Sequence, residues 1–222
     1  MVSGWGFSCL ITDRILFDTG ENWEYLNKNS ERLQIDWGQL KAVVISHDHW
    51  DHTGGLNGLL KKVKGLTVYG LAGFDPAIKQ DVVSAGGDYR EVQAKDLIAP
   101  GIYTTGALTG DYKTRPIVEQ ALMLDTAHGI SVVTGCAHPG IIAMLRAVRR
   151  LFPDKSLNAV WGGFHLRNLK RDQLEAIVDE FCDLGVRQVG ATHCTGEAAE
   201  DLFRLRYGDQ CLPMGAGALF SI

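Results

Sequence analysis

Residues 46–55 read SHDHWDHTGG and follow directly on the apolar run LKAVVI, residues 40–45. A continuous, partly β-branched apolar run predicts a strand buried on both faces. Here that strand ends in three histidines and two aspartates within the six positions from His47 to His52. In an extended chain, residues two apart project the same way, so His47 and His49 can clamp one metal ion from a single edge. Asp51 and His52 follow where Thr53, Gly54 and Gly55 permit a tight turn into a helix, and they can face a second ion alongside. Neutral imidazole plus carboxylate suits zinc, iron or manganese better than calcium or magnesium. The alternative is a solvated His/Asp loop that binds nothing.

The rest of the composition limits what this stretch belongs to. At 222 residues and 45% hydrophobic, the chain can build one substantial core, and without a linker, repeat or low-complexity segment a single domain over 1–222 is expected. A net charge of −4, with basic residues scattered apart from RAVRR at 146–150, argues against a large nucleic-acid footprint. Five cysteines without a C-x-x-C pair read as thiols in a reducing cytoplasm. No apolar stretch approaches the ~18–20 residues of a membrane span, and MVSGWGFSCLI lacks the basic start and cleavage site of a signal peptide. A cytoplasmic protein with a small-molecule substrate is the expectation; its oligomeric state is not legible.

Patterning predicts a hairpin from FSCLI and RILFD around Thr12 and Asp13, a helix in ENWEYLNKNSERLQI, and a helix in GLNGLLKKVKG closed by Gly65. Short strands are expected at LTVYG, YREV, GIYTTG, VEQALMLD and ISVVTGC, with a turn at AHG. Helices and strands then alternate: IIAMLRAVRRLF, LNAVWGG, RDQLEAIVDEFCDLG, VRQVGATH and GEAAEDLFRLRYG, with GALFSI as a closing strand. Two sheets covered by helices follow from that order.

His47-x-His49-x-Asp51-His52 with its Thr-Gly-Gly resembles the signature of the metallo-β-lactamase superfamily. In order, ILFDTG (15–20), TGCAH (134–138) and THCTG (192–196) resemble further motifs of that family, so the likeness covers nearly the whole chain. SHDHWDHTGGL, GCAHPGI, GGFHL and HCTG together resemble the subgroup of dihydropterin-linked ribofuranosylaminobenzene phosphate synthase-like proteins. The resemblance implies an α/β fold, a four-layer αββα sandwich with a metal site at the sheet edges, and hydrolytic chemistry. It implies that His47, His49 and His138 bind one ion and that Asp51, His52 and His193 bind a second. Independently, His138 and His193 each follow a predicted strand, where rigid sites are built. Asp18 resembles the family's structural aspartate, which orients a histidine or a turn; a plain Asp turn beside Gly20 is the alternative.

Two departures stand out. The family's bridging aspartate is missing from NAVWGGFHL, where His165 is the ligand-type residue on offer, read as a metal ligand or a substrate contact; a turn-capping histidine is the alternative. The chain also begins at GWGFSCLI, where relatives generally have a further strand. Cys136 and Cys194 flank ligand positions and could bind a soft metal or simply be small buried residues. Tyr112, Lys113 and Arg115, in a DYKTRP loop, could reach an anionic substrate group or be solvated. Glu119, expected to begin a strand, is a candidate support for the site. Trp5, Trp23, Trp50 and Trp161 are expected mainly in the core, with Trp50 able to wall the pocket. The reaction these features imply is hydrolysis by a water activated on one or two divalent ions, most readily zinc, with Asp51 as base. The substrate is an ester, amide, thioester or phosphate, with a small phosphorylated or phosphodiester compound favoured by the subgroup. A non-catalytic metal sensor and a nuclease are the alternatives; a diiron redox protein is disfavoured because a histidine, His49, stands where a glutamate is typical.

Overall fold

A computed structural model describes all 222 residues, Met1–Ile222. The chain divides into two compact units, Met1–Gln93 and Ala94–Ile222.

In the first unit, β1 (Cys9–Ile11) and β2 (Ile15–Phe17) form the expected hairpin, with Thr12 and Asp13 both at positive φ and the Arg14 N–H bonded to the Ile11 carbonyl at 3.1 Å. Helix α1 (Trp23–Arg32) follows, capped by the Asn22 side chain accepting from the Tyr25 N–H at 2.9 Å. Then come β3 (Ala42–Val44), a single helical turn α2 (Trp50–Thr53), α3 (Leu56–Lys62), β4 (Thr67–Leu71), α4 (Pro76–Ser84) and β5 (Asp88–Val92). The sheet runs β1-β2-β3-β4-β5, antiparallel at β1/β2 and parallel elsewhere. Every residue of β2 and β3 is buried, as their uninterrupted apolar sequence requires. Phe17 and Val44 pair in register, so the two strands end side by side and release the chain at Asp18 and at Ile45–Ser46.

The second unit opens with β6 (Asp96–Ala99) and β7 (Ile102–Thr104), then a separate hairpin of β8 (Leu108–Tyr112) and β9 (Arg115–Glu119). It continues through β10 (Leu122–Thr126), β11 (Gly129–Thr134), α5 (Ile141–Leu151), β12 (Leu157–Gly163), α6 (Arg171–Asp183), β13 (Gln188–Thr192) and α7 (Glu197–Tyr207). The six-stranded sheet runs β13-β12-β11-β10-β7-β6, with β11, β12 and β13 parallel. Helix α5 buries Ile141, Met144, Leu145 and Val148, the spacing of one helical face. Helices α6 and α7 contribute Phe181 and Phe203, which meet Phe164 with ring centroids 5.4 and 5.6 Å away. Each such buried side chain stabilises by roughly 1.5–3 kcal/mol. No helix of either unit is long and apolar enough to cross a membrane.

The structure corrects several local expectations. GALFSI forms no strand; instead Phe220 packs edge-on against Trp161 at 5.4 Å, and the bridge to β13 comes earlier, at Cys211. VEQALMLD is two strands broken at Gln120–Ala121, so Glu119 ends β9 and does not begin a strand. DYKTRP is the tip of the β8–β9 hairpin, turned by Lys113 and Thr114 at positive φ. Trp5 and Trp50 lie outside the core, Trp50 at 62% exposure, whereas Trp161 is buried.

Candidate metal centre

In the first unit, the C-terminal ends of β2 and β3 build one group of donors. Asp18 is fully buried at positive φ (59°), a conformation aspartate tolerates better than most residues. Its Oδ1 accepts from the Ser46 N–H at 2.7 Å, and its Oδ2 accepts from the Ser46 hydroxyl at 2.7 Å and from His52 Nδ1 at 2.7 Å. The Ser46 proton is committed to Asp18, so the 2.9 Å contact between Ser46 Oγ and His47 Nδ1 makes the imidazole the donor. His47 and His52 are therefore both protonated on Nδ1, and each presents the Nε2 lone pair. One buried carboxylate fixes two ring tautomers.

The Nε2 edges of these rings converge on neighbouring donors. His47 Nε2 lies 3.1 Å from His49 Nδ1, and Asp51 Oδ2 lies 3.7 Å from His52 Nε2. Two nitrogens sharing a tetrahedral ion at ~2.0–2.1 Å would lie roughly 3.3–3.4 Å apart, so these spacings suit a shared cation. His47 and His52 are fully buried, and Asp51 is nearly so. The local sequence enforces the approach: His49 precedes α2, whose Asp51 and His52 carbonyls accept from the Phe7 and Thr19 N–H groups at 3.1 and 2.7 Å. A Cβ on Gly54 or Gly55 would come within 2.0 Å of the Glu21 carbonyl or 2.3 Å of the Thr19 carbonyl, so the predicted turn residues must be glycine. Trp50, between His49 and Asp51, is largely exposed to solvent.

In the second unit the ends of β11, β12 and β13 are again aligned, with Thr134 paired to Gly162 and Gly163 to Thr192. Cys136 and His138 follow the first strand, His165 the second, and His193 and Cys194 the third. Glu119 shapes the first loop: its fully buried carboxylate accepts from the Cys136, Ala137 and His138 N–H groups, each at 2.8 Å. The His138 and His165 rings lie 4.5 Å apart, with Tyr112 from the hairpin at 5.0 and 5.9 Å. Phe164 anchors the second turn in the core, and its N–H donates to Thr195 Oγ at 3.0 Å, which leaves His165 exposed on the other side. Cys136 Sγ is 3.3 Å from His193 Nε2. Hydrogen bonding with Cys136 holds the Cys194 thiol down at about 5, against burial, with His165 and the charge of His193 adding to the effect. Arg115 and Lys113 are exposed on the hairpin, with Lys113 Nζ 5.0 Å from the Tyr112 ring centre.

The sequence points to these histidines, to Asp51 and to Asp18 as an orienting carboxylate, but to fewer of the other parts that hold them. Ser46, which hands the Asp18 carboxylate on to His47, gave no signal beyond its place before the motif. Glu119 was noticed, but its grip on three N–H groups depends on a loop contributed from 17–19 residues away. Gly163 was not singled out, although a Cβ there would meet the Gly135 carbonyl at 2.3 Å and His193 Cδ2 at 2.9 Å.

The Asp18 network gives a direct test. Asp18→Asn keeps the side-chain shape and suits the positive φ, but puts an NH₂ either against the Ser46 N–H or against the Ser46 hydroxyl and His52 Nδ1–H. Metal affinity should fall about 10–100-fold in a competition titration against a chromophoric chelator. Unchanged affinity would mean that Asp18 shapes only the turn.

Known proteins share this arrangement of chain. A 7,8-dihydropterin-6-methyl-4-(beta-D-ribofuranosyl)-aminobenzene-5'-phosphate synthase from Methanocaldococcus jannaschii is 28% identical, over 94% of this chain and 84% of its own. The crystal structure of Tm1679, described as a metal-dependent hydrolase of the beta-lactamase superfamily, matches 100% of this chain and 93% of its own, with a TM-score of 0.83 and 29% identity. The metallo-beta-lactamase fold protein YhfI from Bacillus subtilis shares the fold with a TM-score of 0.66 at 16% identity, over 96% of this chain and 88% of its own. The sequence pattern of one family also runs through residues 9–129, more than half of the chain, and that stretch includes the whole Asp18–Ser46–His52 network; the chain belongs to the metallo-beta-lactamase superfamily.

Proposed function

We propose that residues 1–222 form one metal-dependent hydrolase domain that acts on a small phosphorylated or phosphodiester compound. The observation that carries this reading is the double tautomer lock, Asp18 to His52 and Asp18 through Ser46 to His47, which turns two Nε2 lone pairs toward His49 and Asp51. Neutral imidazoles and a carboxylate are a donor set that fits zinc, with iron or manganese next. His47, His49 and His138 would hold one ion; Asp51, His52 and His193 would hold a second, with His165 on one ion or on the substrate where the family's bridging carboxylate is missing. A bound divalent ion supplies Lewis acidity that polarises a phosphoryl or carbonyl oxygen and makes water a stronger acid. Asp51 holds that water and takes its proton. Glu119 keeps the His138 loop in one shape, and Tyr112 covers the His138 and His165 rings. Arg115 and Lys113 offer charge to an anionic group. The methanogen relative's name supports a phosphorylated substrate class, although that name describes a synthase.

The test is turnover of bis-p-nitrophenyl phosphate and of phosphomonoesters by the full chain with added Zn²⁺ or Mn²⁺. About one to two ions per chain are expected by elemental analysis, since six side chains serve at three or more per ion. Turnover should vanish on chelation, return with metal, and be absent in His49→Ala. Metal retention without turnover of any phosphate, ester or thioester would favour a metal sensor instead; absence of metal binding would overturn both.

A further inference from the structure

Apart from its histidines, the second unit gathers sulfur. Cys136 and Cys194 lie beyond β11 and β13, both buried, and their thiols meet the His165 ring so that the three donor atoms lie within 4.8 Å of one another. Cys136 Sγ is also 3.3 Å from His193 Nε2, and Cys194 Sγ is 3.7 Å from the Cys136 carbonyl. The end of β12 leaves room for this meeting: a Cβ on Gly163 would stand 2.8 Å from Cys194 Sγ. Two thiols and an imidazole on three aligned strand ends are a soft donor set, unlike the imidazole and carboxylate donors of the first unit.

We propose that Cys136, His165 and Cys194 form a thiolate-containing site for a soft transition-metal ion, zinc or copper(I) in preference to manganese or magnesium, with His193 at its edge. It rests on the reading of His165 as a ligand and not on the hydrolytic reaction, and it needs residues of the second unit alone.

The experiment is X-ray absorption at the zinc edge on the full chain, kept reduced, stripped of metal and reloaded with up to three equivalents of Zn²⁺, enough to fill the two ions of the proposed function and this site. A sulfur shell at ~2.3 Å is expected beside nitrogen and oxygen at ~2.0–2.1 Å. It should disappear in the Cys136→Ser/Cys194→Ser double variant and persist in His49→Ala. In His165→Ala, whose ring is exposed so that the fold is spared, the shell should persist with zinc affinity at that site lowered by about tenfold or more. A wild-type spectrum with nitrogen and oxygen alone overturns the proposal, and so does a sulfur shell that survives the double variant. Should the double variant fail to fold, the wild-type spectrum and the His165→Ala affinity decide, and unchanged affinity in His165→Ala overturns the three-donor site. Phosphodiester turnover without a sulfur shell defeats this inference alone; a sulfur shell without turnover defeats the hydrolytic reading alone.

Discussion

Asp51→Asn should lower metal-dependent turnover by ~10² or more, about 2.7 kcal/mol of transition-state stabilisation, while the chain stays folded. The fold should survive because the backbone does the structural part: the Asp51 carbonyl accepts from Phe7 N–H, and the residue sits within the helical turn α2 whatever its side chain. The buried carboxylate, 3.7 Å from His52 Nε2, supplies charge and basicity that an amide of the same shape lacks. Steady-state rates set beside metal content and circular dichroism check it. Near-normal rates with full metal content would show that Asp51 is neither the base nor a ligand the reaction needs.

Glu119→Gln should be the most damaging conservative change for stability. The carboxylate offers Oε1 to two N–H groups and Oε2 to a third. Glutamine retains one oxygen, so its NH₂ would face either the His138 N–H or the Cys136 and Ala137 pair, donor against donor in a fully buried place. Losing charge-assisted bonds of ~1.5–3 kcal/mol and stranding a buried donor predicts a loss of roughly 2–4 kcal/mol. In a chain of this size that lowers the melting temperature by about 5–15 °C. Thermal unfolding of the metal-free protein measures it without contribution from bound ions; a shift under ~2 °C would show that the loop holds itself.

The core elements were legible where one pattern had one explanation. LKAVVIS, β-branched and continuous, read as a buried strand, and the spacing of Ile141, Met144, Leu145 and Val148 read as one face of a helix. Helix α4 escaped notice because it buries Val82 alone of its residues, although Asp75 and Pro76 at its start carried a capping signal. VEQALMLD read as one strand because apolar content does not record a change of sheet, and Glu119–Gln120–Ala121 is where β9 leaves and β10 begins. GALFSI has strand composition but no neighbour to pair with, and composition cannot report a missing neighbour. At the site, ligand-type residues announced themselves by spacing. Their supports were legible only in part: Asp18 and Glu119 stood out as residue types, but the Ser46 hydroxyl relay, the three N–H groups held by Glu119 and the tight space beside Gly163 exist only once folding brings distant segments together.

Nine non-glycine residues have positive φ, and four of them, Asp18, Ala137, His165 and His193, lie in the turns that carry these strand ends into the donor loops. Each asks the backbone for a shape that side chains resist by ~1–2 kcal/mol, and that branched side chains resist most. The consequence is a restriction on sequence drift. In a saturation library, valine and isoleucine should be purged at all four positions. Glycine should be accepted at 137, where no side-chain chemistry is asked for. At 193, asparagine should leave a folded chain with altered metal content. Comparing abundance with activity across such a library would therefore separate, position by position, what the chain's path forbids from what its chemistry requires.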